Sequence, residues 1–342
     1  MQFGLNRLDM TSVDAFARSS AQAEALGWSY GFIPSSPLLA LDPYVMLSNA
    51  LRVTSTLRMG PLIENPVMRN PAVLAGSTAT IAGLAPGRVL LGMGAGDTAV
   101  RLMGKRPARI AEQEAAVGVI RALLAGEALD VDAQRPAKLR HAVSADVWVA
   151  AGGPRTLEMA GRVADGVFIR VGTHRENVAA AIAAVHRGAE SVGRDPASVR
   201  YALIFHTVVC DDPERRLAVA RSMAAGYLEY SPMLLEPTNW AWDGPPLHEL
   251  QQRVWPDFHH ARDLAAAGTL LDFVPEAVAN AFCIAGTWAE VREAYTEAAC
   301  AWPDAEVVVP HPVPAWPSGE GPAEEPYLEA FAREVIAPLA GP

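Results

Sequence analysis

Residues able to bind ligands or transfer protons follow the apolar, strand-like runs of this sequence. In a barrel of parallel strands, the residues at the C-terminal ends of the strands face one common site. The predicted strand ends supply Asn6, Ser35, Ser36, Glu64, Asn65, Gly96, Asp97, Gly152, Gly153, Arg170, His206 and His311. Carboxylates, hydroxyls and imidazoles position substrates or move protons, and arginine binds anions. The set therefore predicts an enzyme acting on a small molecule.

A run of alternate glycines closes the fourth predicted strand, Gly92-Met93-Gly94-Ala95-Gly96-Asp97. Missing side chains at alternate positions let a flat ring approach the backbone, and Asp97 adds a fixed carboxylate. Glycines also end strands for steric reasons, so both interpretations stay open. The run is not a dinucleotide fingerprint, because no G-x-G-x-x-G leads into a helix with an acidic residue about 20 positions on.

The fifth predicted strand leads through two glycines into a helix, in the run from Ala150 to Thr156. Free amides at a helix start, reached through Gly152 and Gly153 and reinforced by Arg155, suit a phosphate group. A plain tight turn is the alternative.

Three other strand ends carry functional candidates with structural alternatives. Pro61 lies inside the third predicted strand, so we expect an irregular backbone there, and such irregularity often marks a functional site. Glu64 lies beside it and is predicted either to face a ligand or to bond to the backbone. Arg170 meets an anionic substrate, a cofactor phosphate or a helix carboxylate. His206 lies in an apolar strand, and its role depends on whether it points into the barrel.

The elements that would position these residues alternate between strands and helices through most of the chain. The predicted strands are Gln2 to Asn6, Tyr30 to Pro34, Leu57 to Ile63, Arg88 to Gly94, Val147 to Ala151, Asp165 to Arg170, Tyr201 to Cys210 and Glu306 to Pro310. Intervening helices end near Gly126 and Gly188, and Pro71 and Pro154 suit first helical turns. A doubly wound open sheet also has alternating strands and helices, but eight strand–helix units with no sign of a sheet edge favour a (β/α)8 TIM barrel.

We predict one barrel domain over residues 1–342, with an insertion at about 227–280 between strand 7 and strand 8. The insertion is rich in proline and contains Trp240, Trp242 and Trp255. Long insertions on barrel loops commonly form lids or substrate walls, and a dimer contact is the alternative.

Composition excludes several classes of protein. With 51% hydrophobic and 19% charged residues the chain is not disordered, and no run reaches the roughly 18 apolar residues of a membrane span. A net charge of −10 without a basic block argues against nucleic acid as a partner. Met1 to Leu5 shows no signal-peptide features, so we expect a cytoplasmic protein.

Metal binding is not expected. Cys210, Cys283 and Cys300 are too few and scattered for a metal cluster or a disulfide framework, and we interpret them as reduced core thiols. His259 and His260 are adjacent, so on a helix they point apart.

Three segments taken in order resemble the luciferase-like flavin monooxygenase superfamily. They are Gly60 to Pro71, Thr78 to Asp97 and Val147 to Val167. The resemblance covers about residues 1 to 226, returns at Ile284 to Thr287, and is strongest to the coenzyme F420-dependent branch typified by methylenetetrahydromethanopterin reductase.

The resemblance implies a barrel whose cofactor ring leans on a bulged third strand, with a non-proline cis peptide between Leu62 and Ile63. It implies a cofactor phosphate at Gly152, Gly153 and Pro154 and an acidic residue beside the ring at Asp97. It also implies a homodimer formed through helices near the second and third strands.

The sequence departs from that branch at two strand ends. Ser35 and Ser36 replace its usual Asp-His pair, and hydroxyls donate hydrogen bonds but do not supply protons near neutral pH. The proton then comes from His206 or His311. Asn6 replaces an acidic residue, so a substrate other than tetrahydromethanopterin is expected.

These observations assign predicted roles to individual residues. The catalytic candidates are Asp97, His206 and Ser36; the cofactor contacts are Ser35, Leu62, Ile63, Glu64, Gly94, Gly96, Asp97, Ala151, Gly152, Gly153, Pro154 and Arg155; and the substrate contacts are Asn6, Arg170, Trp240 and His311.

Three functions are compatible with these roles. The first is hydride transfer between coenzyme F420 and a small organic substrate. The second is an FMN-dependent monooxygenase using oxygen and reduced flavin from a separate reductase. The third is a flavin-binding relative without turnover.

Overall fold

The chain forms a nearly closed (β/α)8 barrel, in a computed structural model that describes residues 1–131, 134–322 and 325–340. Within these residues the strands are β1 Gln2–Leu5, β2 Tyr30–Ile33, β3 Arg58–Pro61, β4 Leu90–Met93, β5 Asp146–Ala151, β6 Gly166–Ile169, β7 Arg200–Val209, β8 Ile284–Gly286 and β9 Val307–Pro312. Eight of them follow the order β3-β2-β1-β9-β7-β6-β5-β4, and β8 pairs with β7 outside this path. The eight predicted strands are confirmed, and the short β8 is an additional one.

Helices connect the strands. They are α1 Val13–Ala25, α2 Pro43–Val53, α3 Pro71–Leu84, α4 Thr98–Arg101, α5 Ile110–Leu124, α6 Pro154–Val163, α7 Arg175–Glu190, α8 Pro213–Tyr230, α9 Leu247–Gln251, α10 Leu264–Gly268, α11 Glu276–Asn280, α12 Trp288–Ala301, α13 Tyr327–Phe331 and α14 Ala337–Leu339. Short 3-10 helices lie at Pro196–Ser198, Pro232–Thr238 and Thr269–Leu271, and a π-helical turn lies at Ala332–Ile336. Among the described residues, no helix is long and apolar enough to span a membrane.

Local sequence signals account for several helix ends. Pro71 and Pro154 occupy first turns, where a missing amide costs no hydrogen bond. Gly126 ends α5 at a φ of +76°, a conformation that favours glycine. The predicted stop at Gly188 lies two residues before the end of α7, which continues to Glu190. A Cβ on Gly188 would lie 2.0 Å from the Glu158 carbonyl oxygen, so this glycine permits close contact between α6 and α7.

Residue contacts divide the barrel into two compact units. The first unit is Gln2–Ile169 with Ala183–Ala202, and the second is Met1, Arg170–Ile182 and Leu203–Pro342.

In the first unit, β1, β2 and β3 pair in parallel, as do β4, β5 and β6. Isolated bridges Met59–Val89 and Glu64–Met93 join β3 to β4. Aromatic side chains fill its core: the Phe168 ring lies 5.4 Å from Phe32 and 5.1 Å from Trp148, centroid to centroid. The packed interior holds the strand ends in fixed register.

In the second unit, β8 pairs with the end of β7, with Thr207 opposite Ile284. The buried Thr207 hydroxyl lies 2.6 Å from the Tyr295 hydroxyl, which links β7 to α12. The predicted insertion begins inside α8, which extends to Tyr230, and continues through short helices to α11.

Candidate functional site

The backbone of β3 is distorted beyond Pro61. The predicted cis peptide bond between Leu62 and Ile63 is present. The chain then rejoins β4, because the Glu64 amide donates to the Gly92 carbonyl at 2.8 Å and the Gly94 amide donates to the Glu64 carbonyl at 2.9 Å. The irregular third strand expected from Pro61 is confirmed.

The glycines of β4 accommodate this distortion. A Cβ on Gly94 would lie 2.0 Å from Ile63 Cδ1, and one on Gly92 would lie 2.4 Å from the Pro61 carbonyl oxygen. Gly96 has a φ of +78°, and a Cβ there would lie 2.9 Å from Asn65. The steric interpretation of the Gly-x-Gly-x-Gly run therefore applies, since residues of the β3 loop occupy the space beside it.

Glu64 is buried beside Arg69. The Arg69 Nε lies 3.5 Å from Glu64 Oε1, and neither carboxylate oxygen has a hydrogen-bond partner among the described residues. Burial raises the pKa of Glu64, against the opposing effect of the Arg69 charge. Arg69 also pairs with Asp42 at 2.5 Å. The predicted cofactor contact thus has a guanidinium neighbour on its own loop.

Asp97 lies at an exposed position after β4. It precedes the single turn α4, makes no side-chain cap to it, and forms an ion pair with Arg101. The loop-capping alternative therefore does not hold, and the carboxylate remains accessible to a ligand.

The loop between β5 and α6 presents an uncapped helix start. Gly153 is the N-cap of α6 and carries no capping side chain, and a Cβ on Gly153 would meet no atom within 4 Å. Pro154 and Arg155 are exposed, whereas Ala151 is buried in β5. First-turn amides beside open space fit a phosphate group.

These strand ends are neighbours in the first unit. Glu64 bridges to Met93 of β4, and Met93 is in register with Val149 of β5. The cis bond and Gly152 therefore follow strands separated by β4 alone, roughly 10 Å apart across the sheet at usual strand spacing.

The remaining candidates of the first unit differ in exposure. Ser35 is buried near Glu64, and Ser36 is half-buried with its carbonyl accepting the amides of Leu39 and Ala40. Asn6 is half-buried directly after β1.

In the second unit, aromatic side chains surround His206. Its ring centroid lies 4.8 Å from His311, 5.0 Å from His259 and 5.4 Å from Tyr227. Burial, with Arg170 adding to it, lowers the pKa of His206 well below its usual range. The imidazole is therefore neutral near pH 7 and serves as a hydrogen-bonding group.

Arg170 completes this group of side chains. Its Nη2 lies 3.0 Å from His259 Nδ1, and its Cζ lies 5.2 Å from the centroid of the Tyr227 ring. Sequence reasoning selected Arg170, His206 and His311 but missed Tyr227 and His259. Neither lies at a strand end, so the positional rule gave no signal for them.

Two other predictions concern aromatic and sulfur side chains. Trp240 packs against Trp242 and Phe273, at centroid distances of 6.0 and 6.4 Å. Cys210 and Cys283 are buried as expected, but Cys300 is exposed on α12, so its assignment as a core thiol was wrong. The described residues contain no group of three or more histidine, cysteine or acidic side chains placed to hold a metal.

Comparisons with known sequences agree with this architecture. The profile of the family described as luciferase-like monooxygenase matches residues 2–303. The chain is 27% identical over 298 residues to 5,10-methylenetetrahydromethanopterin reductase of Methanolobus tindarius, covering 84% of this chain and 87% of the relative. It is 33% identical over 204 residues to the phthiodiolone/phenolphthiodiolone dimycocerosates ketoreductase of Mycobacterium tuberculosis, spanning 55% of this chain and about half (52%) of that relative.

Solved structures show the same fold. The coenzyme F420 dependent tetrahydromethanopterin reductase of Methanopyrus kandleri superposes with a TM-score of 0.68 at 23% identity, covering 98% of both chains. An EDTA monooxygenase from Chelativorans sp. BNC1 gives 0.67 at 15% identity, covering 99% of this chain and 93% of its own. The chain belongs to the luciferase-like monooxygenase family, and it is an enzyme of the flavin- and F420-dependent oxidoreductase class.

Proposed function

We propose that this enzyme transfers a hydride between coenzyme F420 and a small organic substrate. The observation that carries the proposal is the neighbouring position of two features in the first unit: the distorted end of β3 at Leu62 and Ile63, and the uncapped start of α6 at Gly153. A cofactor with a flat ring and a phosphate tail requires two such features at the same end of the sheet.

The residues present fit such a cofactor. The open space beside Gly153 and the uncapped amides of α6 suit its phosphate, with the exposed Arg155 as an additional cation. The half-exposed Leu62 and Ile63 offer an apolar surface to the ring, and the accessible Asp97 carboxylate supplies a polar contact. When bound, the cofactor supplies the hydride carrier, and the protein supplies orientation and exclusion of water.

The proposal of F420 is supported by the similarity to 5,10-methylenetetrahydromethanopterin reductase over most of the chain, since that reductase typifies the F420-dependent branch that the sequence resembles. Similarity in fold to an EDTA monooxygenase keeps the FMN-dependent monooxygenase as the second candidate. Ser35 and Ser36, where the F420-dependent branch carries an Asp-His pair, favour the third, a flavin-binding relative without turnover. The F420 and FMN candidates use the same phosphate and ring contacts, so cofactor preference separates them.

The test is a titration of the purified protein with coenzyme F420 and, separately, with FMN, followed by absorbance and fluorescence. We expect F420 to bind at least about tenfold more tightly, a difference of about 1.4 kcal/mol. Binding of FMN alone, with oxygen consumption that depends on reduced FMN, would reject hydride transfer by F420. Tight binding with no turnover on any substrate panel would reject both reactions.

A further inference from the structure

The arginine and histidine side chains of the second unit carry an inference about the substrate. We use the name imidazole cluster for His206, His259, His311, Tyr227 and Arg170. The rings of its histidines and of Tyr227 pack at centroid distances of 4.8 to 5.4 Å, edge to face in three pairs and tilted between His206 and His259. His206 is buried, whereas Arg170, His259 and His311 are half-exposed, so a ligand can reach the cluster.

The cluster contains one uncompensated positive charge. Among the described residues no carboxylate lies within 4.0 Å of the Arg170 guanidinium; its polar neighbour is the ring of His259. Burial lowers the pKa of His259 to about 3, with Arg170 adding to the effect, so this neighbour is neutral at pH 7. A half-buried cation facing a neutral partner attracts an anion.

Asp257, two residues before His259 in the chain, is already engaged. Asp257 accepts hydrogen bonds from the amides of His259 and His260 at 2.8 and 2.9 Å, and its Oδ1 lies 2.8 Å from His260 Nδ1. The hydrogen bonds of its carboxylate thus go to the His259–His260 segment, and it forms no ion pair with Arg170 among the described residues.

A second, independent observation is the unpartnered nitrogen of His206. Its Nδ1 is fully buried and has no hydrogen-bond partner among the described residues. Leaving such an atom unpaired costs about 1 to 3 kcal/mol, so buried nitrogens of this kind commonly face a ligand or water.

The Arg170 guanidinium and the His206 imidazole contact the same two rings, those of Tyr227 and His259. Arg170 contacts both Tyr227 and His259, and His206 packs against the same two rings. The positive charge of Arg170 opposes a metal cation, whereas an oxyanion accepts hydrogen bonds from both a guanidinium and an imidazole.

We propose that Arg170 and His206 form a subsite for an oxyanion of the substrate, and that the enzyme acts on small organic molecules bearing a carboxylate or a similar singly charged group. This rests on the proposed function for the reaction, but the binding of the anion is measured without turnover. Tyr227 and His259 hold the guanidinium in place.

The experiment is isothermal titration calorimetry at low ionic strength with acetate, butyrate and benzoate, each compared with its neutral amide. We expect at least one acid to bind the wild-type protein about tenfold or more tightly than its amide, and Arg170→Gln to abolish that preference. Arg170→Lys should retain part of it. The matched control is Arg175→Gln, which removes an exposed arginine of the same unit and should leave the preference unchanged.

Thermal melting checks that each variant is folded. Titration with F420 and FMN then distinguishes an oxyanion of the substrate from the phosphate of the cofactor. An unchanged cofactor affinity in Arg170→Gln supports a substrate oxyanion. A cofactor affinity that falls while carboxylate binding persists overturns the proposal, because Arg170 would then serve the cofactor phosphate. Equal binding of every acid and its amide to the wild type overturns the subsite and leaves the cofactor assignment standing.

Discussion

Ile63 occupies the space that a side chain at position 94 would need: a Cβ on Gly94 would lie 2.0 Å from Ile63 Cδ1 and 3.3 Å from its Cγ1. The residue after the cis bond and the glycine of β4 are therefore complementary in size. We expect Gly94→Ala to destabilise the fold by about 1 to 3 kcal/mol through overpacking. Ile63→Val removes Cδ1, so the double variant should cost clearly less than the sum of the two single variants.

Urea unfolding of the four proteins in this cycle measures the coupling. Gly76→Ala is the matched control, because a Cβ on Gly76 in α3 meets no atom within 4 Å. It should be neutral or slightly stabilising. Strictly additive effects at positions 63 and 94 would contradict the packing described here.

Gly153 tests the phosphate site. Gly153→Val places side-chain atoms in the open space beside the α6 start, so we expect cofactor affinity to fall about tenfold or more while the unfolding midpoint changes little. Cofactor titration and thermal melting measure the two effects. Gly118→Ala in α5, where a Cβ also meets open space, should affect neither. Unchanged cofactor affinity in Gly153→Val would place the phosphate elsewhere.

Asp97 and Arg101 form an exposed ion pair, so substituting each partner in turn tests whether Asp97 acts in catalysis or only in this pair. Breaking the pair from either side should cost at most about 1 kcal/mol, because solvent screens it. We expect Asp97→Asn to lower turnover strongly and Arg101→Gln to preserve it, as measured by steady-state kinetics. Equal losses in both variants would mean that Asp97 acts only through its ion pair.

Glu24 predicts a specific loss of stability in acid. Burial opposes its ionisation, but the amides of Thr56, Leu57 and Ser55 outweigh that effect and lower its pKa from 4.5 to about 2. A carboxyl group with a depressed folded pKa stabilises the protein above its unfolded pKa. This contribution is therefore present above pH 4.5 and disappears as the pH falls toward 2.

Glu24→Gln should lower the unfolding free energy at pH 7 by about 1 to 2 kcal/mol, after allowance for solvent screening. The difference from wild type should shrink at pH 3, as urea unfolding at both pH values will show. A difference that is the same at pH 7 and pH 3 would rule out the ionised carboxylate as its cause.

We propose that exposed apolar side chains on and near α2 form the interface of the homodimer that the family resemblance implies. Val45, Leu38 and Leu39 are 52%, 59% and 66% exposed. We expect the wild-type protein to elute as a dimer in size-exclusion chromatography with light scattering and Val45→Asp to shift it toward monomer. Val192→Asp, at an equally exposed valine elsewhere, is the control. A monomeric wild-type protein would remove the basis for this interface.

The fold was predictable because the period of apolar residues and the positions of Pro71, Pro154 and Gly126 are local signals. The short β8 was not predictable, because three residues are too few to show a periodic pattern of apolar side chains. At the site, Pro61 indicated the distorted strand, and the resemblance placed the cis bond. The purpose of Gly94 required coordinates, since a sequence does not say whether a ligand or Ile63 takes the vacant space. Tyr227 and His259 join the imidazole cluster only through the packing of the second unit.

The contrast among the three cysteines has a practical consequence. Burial raises the pKa of the Cys283 thiol to about 12, which disfavours the thiolate that reacts with maleimides, and burial also shields Cys210 from such reagents. Cys300 is exposed on α12 beside Trp302, in a surface groove of about 700 Å³. A thiol-reactive fluorophore should therefore attach to Cys300 without any substitution in the chain, and its emission can report conformational changes caused by ligand binding.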